Sequence, residues 1–165
     1  MTSSSSTATA TSMRQTDVDQ IESLTRQWAA IWSPEDKPFR ADEFRNLFSP
    51  SELQVFDNVQ GDVLTLNSVD EYVRTWEPFM KPLTFWSTKL EQFQVLAVSD
   101  TVASTSFRLV GIDTRGPDGL VLPFGQYGTH VWKKDPTLGW RIVHEHLTSF
   151  DTSKAAGKEN NSSSN

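Results

Sequence analysis

"GWRIVHEHLTSF", residues 139–150, holds two of the chain's three histidines, one residue apart. It reads as an extended segment, because Trp, Ile, Val and Thr are spaced for a strand and not for a helix. Strict alternation sets Trp140, Ile142, His144, His146 and Thr148 on one face and Arg141, Val143, Glu145 and Leu147 on the other. The first set is the expected inward face. His144 and His146 would then point to the same side, roughly 7 Å apart by the rise of a strand.

Upstream, three more extended segments rich in Val, Thr, Phe and Trp span residues 84–98, 101–113 and 122–134. The turn-forming runs "SD", "TRGPDG" and "DPTLG" separate the four. Before Pro82 the period changes. Val18, Ile21, Leu24, Trp28, Ile31 and Trp32 recur at three- and four-residue steps, which predicts an amphipathic helix ending before Pro34. "ADEFRNLF" (41–48) reads as a short second helix and "ELQVFDN" as a short extended stretch. "SVDE" (68–71) is a capping box that opens a third helix carrying Tyr72, Val73, Trp76, Phe79 and Met80. This order predicts an α+β domain, with three N-terminal helices packed on one face of a curved antiparallel sheet and space for a cavity between the layers.

The chain has 165 residues, enough for one domain with one sizeable core. Its Ser/Thr-rich opening (1–15) and polar end (152–165) lack the apolar content to offset ordering, so they are expected to be disordered tails around a domain at 16–151. A net charge of −6 without a basic run argues against nucleic acid as a partner. The absence of cysteine excludes disulfides, thiolate nucleophiles and Cys-ligated metal. No apolar run approaches bilayer length, and the opening has no signal-like apolar core, so the expectation is no membrane association and a cytoplasmic protein. There is no P-loop, Rossmann glycine pattern, nucleophile elbow or HExxH sequence, and "GPDG" reads only as a hairpin turn.

"GWRIVHEHLTSFD", preceded by "GTHVWKKD" and by a Trp-bearing first helix, resembles the SnoaL-like branch of the nuclear transport factor two-like superfamily. The resemblance covers roughly residues 16–151 and implies a cone-shaped α+β fold. That fold hosts isomerases, cyclases, epoxide hydrolases, dehydratases and kinase association domains, so it does not choose an activity. A homodimer is implied as well. Tyr127 stands where relatives often carry an Arg, which weakens the case for an anion-binding pocket.

The candidate catalytic residues are Asp57, His144 and His146. An imidazole near its ordinary pKa can exchange protons at neutral pH, although strand histidines often only bond neighbouring groups. Asp57, beside Phe56 and near several Trp, would be desolvated and its pKa raised, or it would simply form a turn with Asn58. Trp32, Tyr72, Trp76 and Tyr127 are candidate substrate-binding residues; the resemblance implies that Tyr127 faces inward, and alternation then sets His130 and Trp132 outward. No metal and no cofactor is expected: an H-x-H pair needs a third ligand, and His130 is read as facing away. The resemblance to SnoaL-like proteins implies as partner a hydrophobic carbonyl compound that undergoes isomerisation, cyclisation or dehydration. The competing reading is a non-catalytic binding or oligomerisation module.

Overall fold

The apolar period read along residues 17–32 becomes the buried stripe of a longer helix, α1, Ser5–Ile31. A computed structural model describes residues 5–33, 37–59, 62–121, 123–150 and 152. The helix therefore starts inside the segment expected to be a disordered tail; once nucleated, helical hydrogen bonding propagates without needing an apolar face. The C-terminal tail expected at 152–165 lies outside the described residues, apart from Thr152. Ile21, Thr25, Trp28, Ala29 and Trp32 are buried along one line of the helix and its end. Asp17 ties the start of that stripe to the sheet, accepting from Lys134 Nζ at 2.7 Å and Trp140 Nε1 at 2.9 Å.

A 3-10 turn at Ala41–Asn46 buries Phe44. Two short strands follow, β1 (Gln54–Val59) and β2 (Asp62–Leu66), forming a hairpin where the sequence showed one extended stretch. Helix α2, Val69–Met80, begins at the predicted cap: the Glu71 backbone N–H donates to Ser68 Oγ at 3.2 Å. The Glu71 carboxylate reaches back to the Asn67 N–H at 2.7 Å, one residue beyond the usual capping-box partner. Pro78 is accommodated inside the helix, and the buried face carries Val69, Tyr72, Val73, Trp76 and Met80.

Four long strands complete the domain: β3 (Phe85–Val98), β4 (Val102–Arg115), β5 (Gly125–Asp135) and β6 (Gly139–Ser149). The sheet order is β2-β1-β6-β5-β4-β3. It is mixed, not wholly antiparallel as expected, because β1 pairs parallel to β6. A parallel neighbour needs a long crossover, which β2, α2 and β3–β5 supply together. Three register irregularities between β3 and β4 bend that pair.

A fourth irregularity changes the reading of the last strand. Trp132 pairs with Ile142, but the preceding Val131 pairs with His144, so Val143 is an inserted, bulged residue. A bulge lets two residues oppose one, and every side chain beyond it changes face. Trp140 and Ile142 point inward as expected, whereas after the bulge Glu145 and Leu147 are the buried residues and His146 is exposed. On β5 the inward set is Gln126, Gly128, His130 and Trp132, and Tyr127 is 53% exposed. The expected orientations of His144, His146, Tyr127, His130 and Trp132 are thus all reversed. Gly128 allows the tight packing of this face, since a Cβ there would run into the Phe107 ring.

Candidate active site

Two groups of polar side chains occupy the inner face of the sheet. The first is sealed. Glu145 accepts from the Tyr72 hydroxyl at 2.9 Å and lies 3.0 Å from His130 Nε2, and all three residues are fully buried. Trp28 and Phe107 each pack a ring 4.8 Å from the His130 ring. In that dry surrounding burial pushes the His130 pKa down to about 3 and the Glu145 pKa up to about 8, so both groups favour their neutral forms. Burial also raises the Tyr72 hydroxyl well above its ordinary value, with the Glu145 charge adding to the effect.

The second group borders a cavity of about 290 Å³. Asp57 on β1, Gln126 on β5 and Ser149 on β6 form its polar end. The Gln126 amide donates to Asp57 Oδ1 at 3.1 Å and to Ser149 Oγ at 3.4 Å, while the Ser149 hydroxyl donates to the Asn58 carbonyl at 2.6 Å. Asp57 is only 1% exposed, and its Oδ2 has no hydrogen-bond partner. Desolvation is the main cause that lifts its pKa to about 8, the charge of Glu145 adds to the rise, and hydrogen bonds from Asn58 and Gln126 oppose it. The rest of the wall is mainly aromatic: Trp32 at the end of α1, Trp76 and Phe79 on α2, Trp86 on β3, and Phe124 and Phe150 beside β5 and β6.

Of the residues singled out in the sequence, Asp57, Trp32 and Trp76 come together on this cavity. Tyr72 does not line it; its hydroxyl is committed to Glu145. His144 and His146 lie on the opposite face of the sheet, with their rings edge-on to Phe56 at 5.5 and 6.3 Å. Burial and the neighbouring His146 lower the His144 pKa. Tyr127 shares the outer face and packs on Phe150 at 4.7 Å. Arg108 is on the outer face too, 4.9 Å from the Phe150 ring centre and 3.5 Å from the Glu91 carboxylate. Sequence reasoning passed over Gln126, Ser149, Trp86 and Phe124. Counting β5 inward from Trp132, its bulkiest apolar residue, would have found Gln126 and His130 together. Among the described residues no group of three or more His, Asp or Glu side chains is placed to hold a metal ion.

No protein-family model and no curated protein sequence matches the chain. Solved structures do. A candidate scytalone dehydratase from Novosphingobium aromaticivorans superposes with a TM-score of 0.67 at 17% identity, over 85% of this chain and 88% of the other. A nuclear transport factor 2-like superfamily protein from Salmonella enterica gives 0.64 at 19% identity, over 81% and 91%. The CaMKII hub of S. rosetta gives 0.58 at 17% identity, over 81% and 93%. The chain has the nuclear transport factor 2-like fold. Among the described residues no helix is long and apolar enough to cross a membrane.

Proposed function

We propose that the chain is a small-molecule enzyme of the SnoaL-like kind, using Asp57 for cofactor-independent proton transfer on a hydrophobic carbonyl compound. The observation that carries this is a buried carboxyl with one unpartnered oxygen on the wall of an aromatic cavity. With a pKa of about 8, Asp57 is mainly the acid at neutral pH with a minor ionised fraction, so the two forms are close enough in energy for one group both to remove and to return a proton. Gln126 holds one carboxyl oxygen and leaves the other for substrate. Aromatic walls exclude water and strengthen each remaining polar interaction. His144, His146 and Tyr127 lie on the other face of the sheet, and this scheme gives them no part. Isomerisation, cyclisation and dehydration all contain such a proton step.

Deuterium uptake tests the reading without knowledge of the product. The protein is incubated in heavy water with a panel of hydrophobic cyclic ketones, and exchange next to the carbonyl is followed by mass spectrometry. The wild type is expected to exceed Asp57→Asn by about 10²–10⁴-fold, the usual contribution of a positioned acid–base group. Equal exchange by both proteins would sink the assignment.

A second reading is an assembly module, favoured by the exposed apolar side chains Leu96, Ile112 and Tyr127 on the strands and by the likeness to a kinase hub. Such a module would pair copies of the chain as a homodimer through the outer sheet face. Light scattering that finds only monomer removes it.

A further inference from the structure

The charge balance of the cavity narrows what it can hold. Its carboxyl, amide and hydroxyl groups form one cluster, Asp57, Gln126 and Ser149, linked by hydrogen bonds across three strands, and the lining Trp32, Trp76 and Trp86 add neutral indole N–H groups that have no hydrogen-bond partner. Among the described residues that line it there is no Lys, Arg or His. The Arg108 guanidinium, which stacks on Phe150, pairs with Glu91 and is not a lining group. Behind the cluster stands a second buried acid, Glu145, on the inner face of the strand next to Asp57.

We infer that this cavity takes an uncharged one- or two-ring compound with an oxygen-bearing end, and rejects the carboxylate of the same ring system. The inference rests on the reading of the cavity as a small-molecule site and deepens it. Its volume of about 290 Å³ lies at the lower end of ligand pockets, which fits one ring or two fused rings. A ligand carboxylate would lose its water and gain no cation from the lining residues. A ligand ammonium would be desolvated as well, against an Asp57 that burial holds in its neutral form below about pH 8. A neutral ketone or hydroxyl needs only the hydrogen bond that Asp57 and its cluster can make, and its rings meet Trp76, Trp86 and Phe124.

The test is a calorimetric titration of the full chain at pH 6.5 with three probes on one ring system: 2-acetylnaphthalene, 2-naphthoate and 2-naphthylmethylammonium. The neutral ketone is expected to bind at least about tenfold more tightly than either ion, a difference of about 1.4 kcal/mol. A carboxylate or an ammonium that binds as tightly as the ketone overturns the inference, as does the failure of all three to bind. Trp76→Ala and Trp86→Ala, each checked for a native circular-dichroism spectrum, are expected to weaken the ketone at least fivefold. Unchanged affinity in both would put the binding elsewhere and also overturn it. The two readings fail separately: lost selectivity with deuterium exchange intact leaves the enzyme and removes this ligand class. Intact selectivity with no exchange does the reverse.

Discussion

Asp57 and Glu145 are both carboxyls on the inner face of neighbouring strands, both almost fully buried, and both lifted to a pKa of about 8. Their partners differ. Glu145 is met by the Tyr72 hydroxyl and the His130 ring and is walled off by Trp28 and Phe107. Asp57 is held at one oxygen by a neutral amide and borders a cavity. Equal burial thus supports two roles: a carboxyl met at both oxygens ties a helix to the sheet, and a carboxyl met at one keeps capacity for something that arrives from outside.

The sharpest way to break this contrast is to remove the two carboxyls one at a time. Glu145→Ala leaves the Tyr72 hydroxyl and the His130 nitrogen unpaired in a dry core, and at about 1–3 kcal/mol for each unsatisfied group a loss of roughly 2–6 kcal/mol in urea unfolding is expected. Asp57→Asn is expected to do the opposite: deuterium exchange collapses, while the unfolding midpoint stays or rises, because a costly buried acid has been replaced by a neutral isostere. If Asp57→Asn unfolds the protein and Glu145→Gln alone abolishes exchange, the assigned roles are exchanged.

Acidity gives a smaller effect with a definite sign. Asp57 and Glu145 have folded pKa values raised to about 8, so their contribution is fully present below pH 4 and is lost as pH rises towards 8. His130, depressed to about 3, acts oppositely and contributes stability that is lost as pH falls from about 6.5 towards 3. Two raised acids outweigh one lowered base between pH 5 and 8. The protein should be less stable at pH 8 than at pH 5 by at least about 1 kcal/mol, or roughly 2–4 °C in Tm. Asp57→Asn should flatten that slope. The smallest effects belong to the outer face: His146→Ala is expected to change stability by less than about 0.5 kcal/mol and to leave deuterium exchange unaltered. A large loss of exchange in His146→Ala would return the site to the other side of the sheet.

Much of the molecule was legible because its signals are local. The Ser68 cap, the apolar stripe of α1 and the strand–turn alternation after Pro82 each depend on neighbours within a few residues. Asp57, Trp32 and Trp76 were singled out from apolar surroundings and helical spacing, both of which survive folding unchanged. Gln126 and Ser149 were not, because what marks them is a hydrogen-bonded cluster drawn from three strands far apart in the chain. The parallel pairing of β1 with β6 was equally invisible, since it joins residue 54 to residue 144.

The sequence alone determined the α+β class, the order of the helices and the four long strands, and the aromatic character of the interior. It gave the wrong face for the second half of the last strand. Alternation predicts a side chain's face only while the register is continuous, and the pairing of β6 with β5 inserts Val143 as an extra residue. That one bulge turns His144 and His146 outward and brings Glu145 inward to Tyr72 and His130. Its cause is the match of β6 to its neighbour, a tertiary property with no local signal in "WRIVHEH".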